Sequence, residues 1–456
     1  MTFFFRFRLI IAAMVMTLAL FLLAVGSCAF GDSDQAEPPK PVAKEGPLIA
    51  GWNQAEIQQL RSLWLGSLPS LPPDPSNRVG DDAAAVKLGH KLFFDERLSR
   101  EGNVSCATCH RPDLFFTDGM GVAIAIDVND RGTQPIAGTA YSPWFFWDGR
   151  RDSQWAQAMV PLESQIEHGG NRTQFAHLIS EDDEYHEMYE NIFGPLPNFS
   201  DRERFPDSAG PVEDALARAN WDSMSQEDQK SVNEVFVNMT KAIAAYERQI
   251  MPGLSRFDGY VSALLEGEEK AAKVLFSEEE LAGLRLFLNR ANCTQCHNGP
   301  LFTNFGFHSI GVPDRDPDEP DIGRFTGATQ VLANEFNCLG SYSDAEPEEC
   351  DELRFIKTEG LELLGAFKVP SLRNVADTSP YMHAGQFATL AEVLAHYNSA
   401  PSGPTGHTDL LPLGFTAEEL GQLEAFLGTL SGPLNVSDEL LAPPNAGVDG
   451  LTADGG

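Results

Sequence analysis

Two short motifs in this sequence carry residues whose types and spacing could do chemistry. Residues 106–110 read Cys-Ala-Thr-Cys-His and residues 293–297 read Cys-Thr-Gln-Cys-His. This C-x-x-C-H spacing is the attachment pattern of c-type haem. On one helical turn, positions i, i+3 and i+4 face the same side, so two thiols can reach the porphyrin while the imidazole reaches the iron. A redox-active cysteine pair or half of a zinc site is the alternative for one copy, but two copies favour haem.

The two motifs identify the side chains that would hold the cofactors. We expect two covalently bound c-type haems, each attached by two thiols and ligated on its proximal face by one imidazole. The residues are Cys106, Cys109 and His110 for the first haem and Cys293, Cys296 and His297 for the second.

The N-terminus has the pattern of an export signal, which c-type haem attachment requires because the thioether bonds form outside the cytoplasm. Two arginines precede an uncharged apolar run over 9–25, and residues 25–28 read Val-Gly-Ser-Cys. This order resembles a bacterial lipoprotein signal, in which 1–27 are removed and Cys28 is lipidated. A cleaved signal that ends nearby and an uncleaved anchor helix are the alternatives.

The cysteine count agrees with export. Of seven cysteines, four belong to the haem motifs and one is Cys28. The remaining pair, Cys338 and Cys350, lies in a loop rich in Ser, Gly, Asp and Glu. We interpret this pair as a disulfide, which an oxidising compartment permits.

The net charge of −34 limits the possible partners. Such a negative surface disfavours nucleic acid and anionic membranes, so membrane contact would come only through the lipid anchor. It would attract a basic or neutral protein partner, although acidity that serves solubility alone explains the charge equally well.

Apolar spacing predicts helices around both motifs. The pattern G-x-x-L-F precedes each motif, at Gly89 and at Gly283, and Leu-Phe follows each motif, which indicates an internal duplication. Ser277 and Thr416 each begin a capping box ahead of an apolar helical pattern, and 225–250 has the spacing of one long helix. We predict a mainly α fold of two cytochrome c-like haem domains with long ordered loops.

The expected domain order follows from composition and motif positions. It is a signal peptide at 1–27, a flexible tether at 28–52, an N-terminal haem domain at 53–262, a C-terminal haem domain at 263–435 and a loose tail at 436–456.

Several separated motifs, in order, resemble the bacterial di-haem cytochrome c peroxidases and their relative MauG. The resemblance is carried by the segment 88–119 around the first haem motif, by F-W-D-G-R at 146–150 and by F-K-V-P-S-L-R-N at 367–374. A narrower likeness to the MbnH branch of that superfamily lies in residues 140–144, 167–172 and 255–258.

The resemblance implies a division of labour between the haems. The haem on His110 would react with peroxide, and the haem on His297 would be six-coordinate and exchange electrons. Trp147 matches the tryptophan that lies between the two haems in the family. Its position in an aromatic run alone would favour an ordinary residue of the hydrophobic core. Glu167 and Gln157 match the distal pair over the open iron face, where a carboxyl group moves a proton between peroxide oxygens. Without the resemblance, Glu167 would be interpreted as a solvated surface charge.

One departure from the typical pattern concerns the first iron. Typical family members carry a distal His that blocks the reactive iron until the other haem is reduced. No His occurs between His110 and His168, and Ile126 stands at about the position of that ligand. The resemblance to MauG therefore implies a first haem that is open without reductive activation.

The second departure concerns the other iron. Typical members place a Met ligand there and MauG a Tyr, and the corresponding residue is Tyr397. A phenolate stabilises oxidised iron, which fits storage of an oxidising equivalent. The competing interpretation is that His396 ligates the iron and Tyr397 is core. His383 would lie near the haem without ligating it.

Family members also hold a calcium ion between the haems, through an Asn side chain and backbone carbonyls. Thr378 and Pro380 match the carbonyl positions, but the Asn position falls at about Gly132, which has no side chain. The calcium ion is therefore expected with one family ligand missing. The acidic loop 314–321 is expected to be solvated.

These observations predict a hydrogen-peroxide-dependent di-haem oxidase of the bacterial periplasm. The likeness to the MbnH branch implies that a tryptophan of a partner protein is oxidised through a high-valence state shared by both haems. One alternative is a cytochrome c peroxidase that draws electrons from a small cytochrome or copper protein; the other is a di-haem electron carrier. Glu167 with Gln157 favours either enzyme over the carrier, and the missing distal His with Tyr397 favours the oxidase.

Overall fold

Helices form most of the regular structure in the computed structural model, which describes residues 48–444. The α-helices of these residues are α1 (Gln54–Leu63), α2 (Ala83–Phe93), α3 (Cys106–Cys109), α4 (Gln154–Glu163), α5 (Arg172–Glu181), α6 (Asp183–Phe193), α7 (Ala215–Ser223), α8 (Gln226–Glu247), α9 (Arg256–Leu265), α10 (Glu269–Leu275), α11 (Glu278–Leu288), α12 (Arg324–Ala333), α13 (Asp351–Arg354), α14 (Leu390–Ser399) and α15 (Ala417–Gly428). Two short strands, β1 (Phe307–His308) and β2 (Phe367–Lys368), pair antiparallel. Long loops and short 3₁₀ turns connect these elements, so the predicted mainly α fold is confirmed.

Some predictions concern residues that the structure does not describe. The signal segment 1–27, Cys28 and the tether up to residue 47 lie outside the described residues, as do 445–456. Within 48–444, no helix has both the length and the apolar character needed to cross a membrane.

The first hydrophobic core forms where α2 crosses α8. Gly89 lies at this crossing, and a Cβ atom added to it would meet the carbonyl oxygen of Ala242 at 1.8 Å. Only glycine therefore lets the two helix backbones approach this closely. The long helix predicted over 225–250 is confirmed by α8, whose first turn is capped by the side chain of Ser225.

The second core repeats this arrangement where α11 crosses α15. Gly283, in the second G-x-x-L-F sequence, would place a Cβ atom 1.8 Å from the carbonyl oxygen of Gln422. The capping boxes predicted at Ser277 and Thr416 are both present at the N-termini of these helices. The same glycine-mediated crossing in each half agrees with the predicted internal duplication.

The N-terminal part of the described chain packs in the second core rather than the first. Trp52 is completely buried there and its indole nitrogen donates a hydrogen bond to the Tyr260 hydroxyl at 2.6 Å. Helices α1 and α9 also belong to this core. The expected tether therefore ends before Trp52, and α1, assigned from sequence to the domain 53–262, lies with the C-terminal helices because its apolar face is buried there.

The C-terminal part of the described chain packs against the first core. Leu434, Val436, Leu440 and Leu441 contact it, and the Leu440 carbonyl accepts a hydrogen bond from the Tyr246 hydroxyl at 2.7 Å. Residues 436–444 of the tail expected to be loose are instead anchored there, because these leucines and the valine bury apolar surface.

The cysteine pair outside the haem motifs is joined as predicted. Cys338 and Cys350 form a disulfide across a separation of 12 residues. The bond closes the loop between α12 and α13, beside Asp152, whose carboxylate accepts a hydrogen bond from the Cys338 backbone at 2.7 Å.

Candidate active site

The first cysteine motif forms the single turn α3, and a hydrogen bond orients its histidine. Ser105 and Thr108 form a capping box at the start of the turn, and the His110 backbone nitrogen donates to the Cys106 carbonyl at 2.9 Å. The His110 Nδ1 atom lies 3.2 Å from the Phe116 carbonyl oxygen. With Nδ1–H donating to that carbonyl, the Nε2 lone pair is left for a metal, as in most metal-binding histidines.

The second motif repeats this geometry on a 3₁₀ turn, Cys293–Gln295. The His297 Nδ1 atom lies 3.0 Å from the Phe302 carbonyl oxygen. Phe116 and Phe302 are both fully buried and both adopt left-handed φ angles, of 61° and 53°. Burial lowers the pKa of both imidazoles, that of His297 to about 4, so both are neutral and able to ligate a metal.

A cavity adjoins the first motif and contains about 1530 Å³ of empty space, counting its opening to solvent. The residues predicted for the first haem site meet on its walls, namely Cys106, Cys109, His110, Trp147, Gln157 and Glu167. Two free thiols, an imidazole with an available nitrogen and a largely apolar lining fit a c-type haem.

Glu167 lies on the cavity wall and not on the solvated surface. Its carboxylate accepts a hydrogen bond from the Asn129 amide at 2.9 Å. Burial raises the pKa of Glu167, and the Asn129 hydrogen bond and the Arg150 charge offset this only in part. Glu163, one helical turn earlier, is instead paired with Arg172 at 2.8 Å. Glu167 is thus a carboxyl group that can take up and return a proton inside the cavity.

Gln157 reaches the same cavity from α4, and a turn brings the chain back to Glu167. The helix ends at Glu163, and the Glu167 backbone nitrogen donates to the Ser164 carbonyl at 3.1 Å. The two side chains therefore share one wall although ten residues separate them in sequence.

Trp147 is held by hydrogen bonds to both halves of the chain. Its indole nitrogen donates to the Gly132 carbonyl at 3.0 Å, and its own carbonyl accepts from the Lys368 backbone nitrogen at 2.7 Å. The preceding Phe146 has a left-handed φ of 64°, which turns the chain into this position. A tryptophan fixed at this junction is more constrained than a plain core residue.

An ion-pair network supports the turn that carries Trp147. Asp148 is buried and accepts from Arg131 at 2.6 Å and from Arg150 at 3.2 Å. Arg131 also forms a two-pronged pair with Asp321, at 2.8 Å for each oxygen. The acidic loop 314–321 is therefore not simply solvated, because its last aspartate binds an arginine of the first half.

The segment around Ile126, which stands at about the position of the family's distal histidine, presents small residues to the cavity. Ala123 and Ala125 line it. Ile126 instead points toward Gly169, where an added Cβ would lie 3.1 Å from the Ile126 Cδ1 atom.

Near the second motif, Tyr397 of α14 lies close to both cysteines. Burial, and then the neighbouring thiols of Cys293 and Cys296, raises the pKa of the Tyr397 phenol. The Nε2 atom of His396 is 2.7 Å from the Ile310 carbonyl oxygen, so that nitrogen is already engaged. His383 stacks on Phe367 with ring centroids 3.8 Å apart.

Gly132, at the position of the family's Asn ligand, supplies no side chain for a calcium ion. Gly132 donates its N–H to the His383 carbonyl at 2.8 Å and uses its own carbonyl for Trp147. A Cβ atom at Gly132 would lie 2.9 Å from the Gly121 carbonyl oxygen, so an Asn would not fit there without movement. Residues 48–444 contain no cluster of three or more His, Cys, Asp or Glu side chains suited to a metal ion.

The cavity wall also carries polar residues to which the sequence analysis gave no role, among them His168, Glu247 and Lys368. Burial raises the pKa of Glu247 to about 8 and lowers that of Lys368 to about 8. Lys368 stands inside a recognised motif, which was a usable signal. Glu247 ends an apolar helix and carried no comparable signal.

Comparisons with known proteins identify the family of the chain. The family model described as di-haem cytochrome c peroxidase matches residues 83–266. Cytochrome-c peroxidase IdrP1 of Denitromonas iodatirespirans is 32% identical over 373 residues, which cover 80% of this chain and 86% of that protein. Methylamine utilization protein MauG of Methylorubrum extorquens is 29% identical over 79% of this chain and 81% of its own length.

Solved structures share the architecture. A MauG-like protein associated with microbial copper homeostasis superimposes with a TM-score of 0.54 at 25% identity, covering 83% of this chain and 97% of that one. The diheme peroxidase BthA from Burkholderia thailandensis superimposes with a TM-score of 0.57 at 22% identity, covering 79% and 89%, and supports the fold alone.

Proposed function

The chain belongs to the di-haem cytochrome c peroxidase family that includes MauG, and we propose that it uses hydrogen peroxide to oxidise a tryptophan of a partner protein. The observation that carries this proposal is the meeting of Glu167 and Gln157 with the thiols and imidazole of the first motif in one cavity. An electron carrier has no need of a buried acid–base group beside its cofactor.

Two c-type haems fit the two motifs. When bound, they would supply the redox chemistry, accepting two oxidising equivalents from each peroxide molecule. The first would be held by Cys106, Cys109 and His110. The second would be held by Cys293, Cys296 and His297, with Tyr397 as a further ligand.

Glu167 is assigned the movement of protons. Burial raises the pKa of this carboxyl group and so makes it a better proton acceptor, which suits a group that takes a proton from one peroxide oxygen and gives it to the other. The Asn129 amide holds one carboxylate oxygen and so orients the group. Gln157, on the same wall, is assigned to bind the incoming peroxide by its amide.

Trp147 is assigned the coupling of the two haems. Its hydrogen bonds to Gly132 and Lys368 fix the indole where the two halves meet. Tyr397 is assigned as the second distal ligand. Although burial raises its pKa, a metal cation favours the phenolate strongly enough to reverse that preference.

The partner is proposed from two observations. The MbnH-like segments favour tryptophan oxidation, and the net charge of −34 suits docking of a basic or neutral protein. We place the reaction in the bacterial periplasm, with Cys28 as the lipidated anchor. Calcium stays a further prediction, with the carbonyls of Thr378 and Pro380 as donors, and metal analysis before and after chelation tests it.

One experiment tests the central proposal. Peroxide is added to the diferric protein and to Trp147→Phe, and near-infrared spectra are recorded. We expect a charge-resonance band in the parent protein that is absent from Trp147→Phe, with both haems retained. No spectral change of any kind in the parent protein would overturn the proposal and favour electron transfer alone.

The second candidate is a peroxidase that takes electrons from a small cytochrome or copper protein. It is favoured by the name of the relative at 32% identity, a cytochrome-c peroxidase. Two measurements separate the two candidate functions. One is steady-state peroxide consumption with reduced cytochrome c, and the other is mass spectrometry of a co-purified partner protein. Rapid turnover with unmodified partner tryptophans would favour this second candidate.

A further inference from the structure

We infer that Lys368 binds a propionate of the haem held by Cys106, Cys109 and His110, and so positions that haem relative to Trp147. The inference rests on the haem assignment of the first motif. It does not depend on which partner is oxidised.

The placement of Lys368 is unusual for a lysine. It ends strand β2, where it stands opposite Phe307, and only 7% of its surface is exposed. Lys368 lines the same cavity as the first motif, although it comes from the second half of the chain. Its backbone nitrogen donates to the Trp147 carbonyl at 2.7 Å, so the lysine and the tryptophan are fixed to each other.

Among residues 48–444, no side chain neutralises the charge of Lys368. The other long cations on the cavity wall, Arg131 and Arg150, both pair with Asp148. Lys368 forms no ion pair or side-chain hydrogen bond with any residue in the described range 48–444. Burial alone lowers its pKa to about 8, with no carboxylate close enough to oppose the shift. A buried ammonium group without a partner is costly, and such groups are found paired.

The expected cofactor supplies the missing anion. The two propionates are the charged groups at the edge of a haem, and burying one requires a cation nearby. Two carboxyl groups of the wall, Glu167 and Glu247, form no ion pair within the described residues, and neither shifts the pKa of Lys368. Glu167 is held by Asn129 at 2.9 Å, and Glu247, whose pKa is raised to about 8, is held by Gln154 at 3.3 Å. Glu247 is therefore neutral at pH 7, and a propionate is the better partner for Lys368.

This pairing would act on the haem through both position and charge. It would tie the cofactor edge to the backbone that carries Trp147. It would also place a positive charge beside the porphyrin, which favours the reduced iron and raises the reduction potential of the first haem.

The test measures both haem potentials separately by spectroelectrochemistry in Lys368→Met and Lys368→Arg. In Lys368→Met we expect at least a tenfold shift of the reduction equilibrium of the first haem toward the ferric state, which corresponds to 59 mV for one electron. The second haem should shift less than half as much. Lys368→Arg, which keeps the charge, should return the first potential most of the way to that of the parent protein.

Controls separate this role from a general effect of burial. Lys241→Met makes the same change at a lysine that is 4% exposed but paired with Asp344 at 2.6 Å, away from the cavity. It should leave both potentials unchanged. If Lys368→Met fails to retain haem, Lys368→Gln is measured instead, and the same shift of the first haem potential is expected. A first-haem potential equal to that of the Lys241 control, or a shift confined to the second haem, would overturn the inference. These potentials need neither peroxide nor partner, so they are independent of the proposed oxidation.

Discussion

Gly89 faces the carbonyl oxygen of Ala242 so closely that a Cβ atom on Gly89 would stand only 1.8 Å from it. Gly89→Ala must therefore push α2 away from α8, and we expect a loss of about 1–3 kcal/mol in the free energy of unfolding. Denaturant unfolding measures this. Gly428→Ala is the matched control, because an added Cβ there meets nothing within 4 Å. Equal stability of Gly89→Ala and the control would contradict the close crossing.

Removing the carboxyl group of Glu167 should slow the reaction with peroxide. A positioned acid–base group contributes roughly 10²–10⁴-fold, so we expect a loss of that order in Glu167→Gln, with haem content unchanged. Stopped-flow mixing of the diferric protein with peroxide gives the rate. Glu163→Gln, which alters a carboxylate bound to Arg172, is the control and should stay within a few-fold of the parent. Equal rates in both variants would remove Glu167 from proton transfer.

The second distal ligand can be identified by exchanging neighbouring residues. We expect Tyr397→His to lose the phenolate bands of the second haem in resonance Raman spectra and His396→Ala to keep them. The physical reason is that His396 Nε2 is engaged by the Ile310 carbonyl at 2.7 Å, whereas Tyr397 lies beside the cysteines of the second motif. Unchanged spectra in Tyr397→His, with altered spectra in His396→Ala, would make His396 the ligand.

The buried acid Glu247 should make stability depend on pH. Its pKa is raised from 4.5 to about 8 by burial, so the folded protein binds a proton that the unfolded chain releases. Stability is therefore lost as pH rises between those values, by at most roughly 1.4 kcal/mol per pH unit. Glu247→Gln should unfold with a weaker pH dependence between pH 5 and 8, as measured by thermal or denaturant unfolding.

A control for this prediction lies on the same helix. Glu234 is exposed and sits one turn from Lys230, so Glu234→Gln should keep the pH dependence of the parent protein. If Glu247→Gln and Glu234→Gln follow the same curve, Glu247 is charged in the folded protein at neutral pH.

Local patterns in the sequence were sufficient for much of the fold. The capping boxes at Ser277 and Thr416 and the long helix α8 depend on contacts within a few residues, so spacing predicts them. The disulfide between Cys338 and Cys350 was predicted because no other role was left for the pair.

Contacts between distant segments were not predictable in this way. Lys368 and Glu247 line the first cavity only because β2 and the end of α8 converge on it, and no periodicity in either segment encodes that meeting. The pairing of Arg131 with Asp321, 190 residues apart, likewise turned a loop expected to be solvated into part of the network around Trp147.

The packing of residues 434–441 against the first core has a consequence for truncated forms of the protein. Residues 434–441 pack against the first core, although most residues of that core lie between 88 and 250. The apolar surface of the first core is therefore not fully covered until this distant segment has packed against it. A fragment that stops after the second haem motif, or one cut between the two halves, would expose that surface to proteases and aggregation.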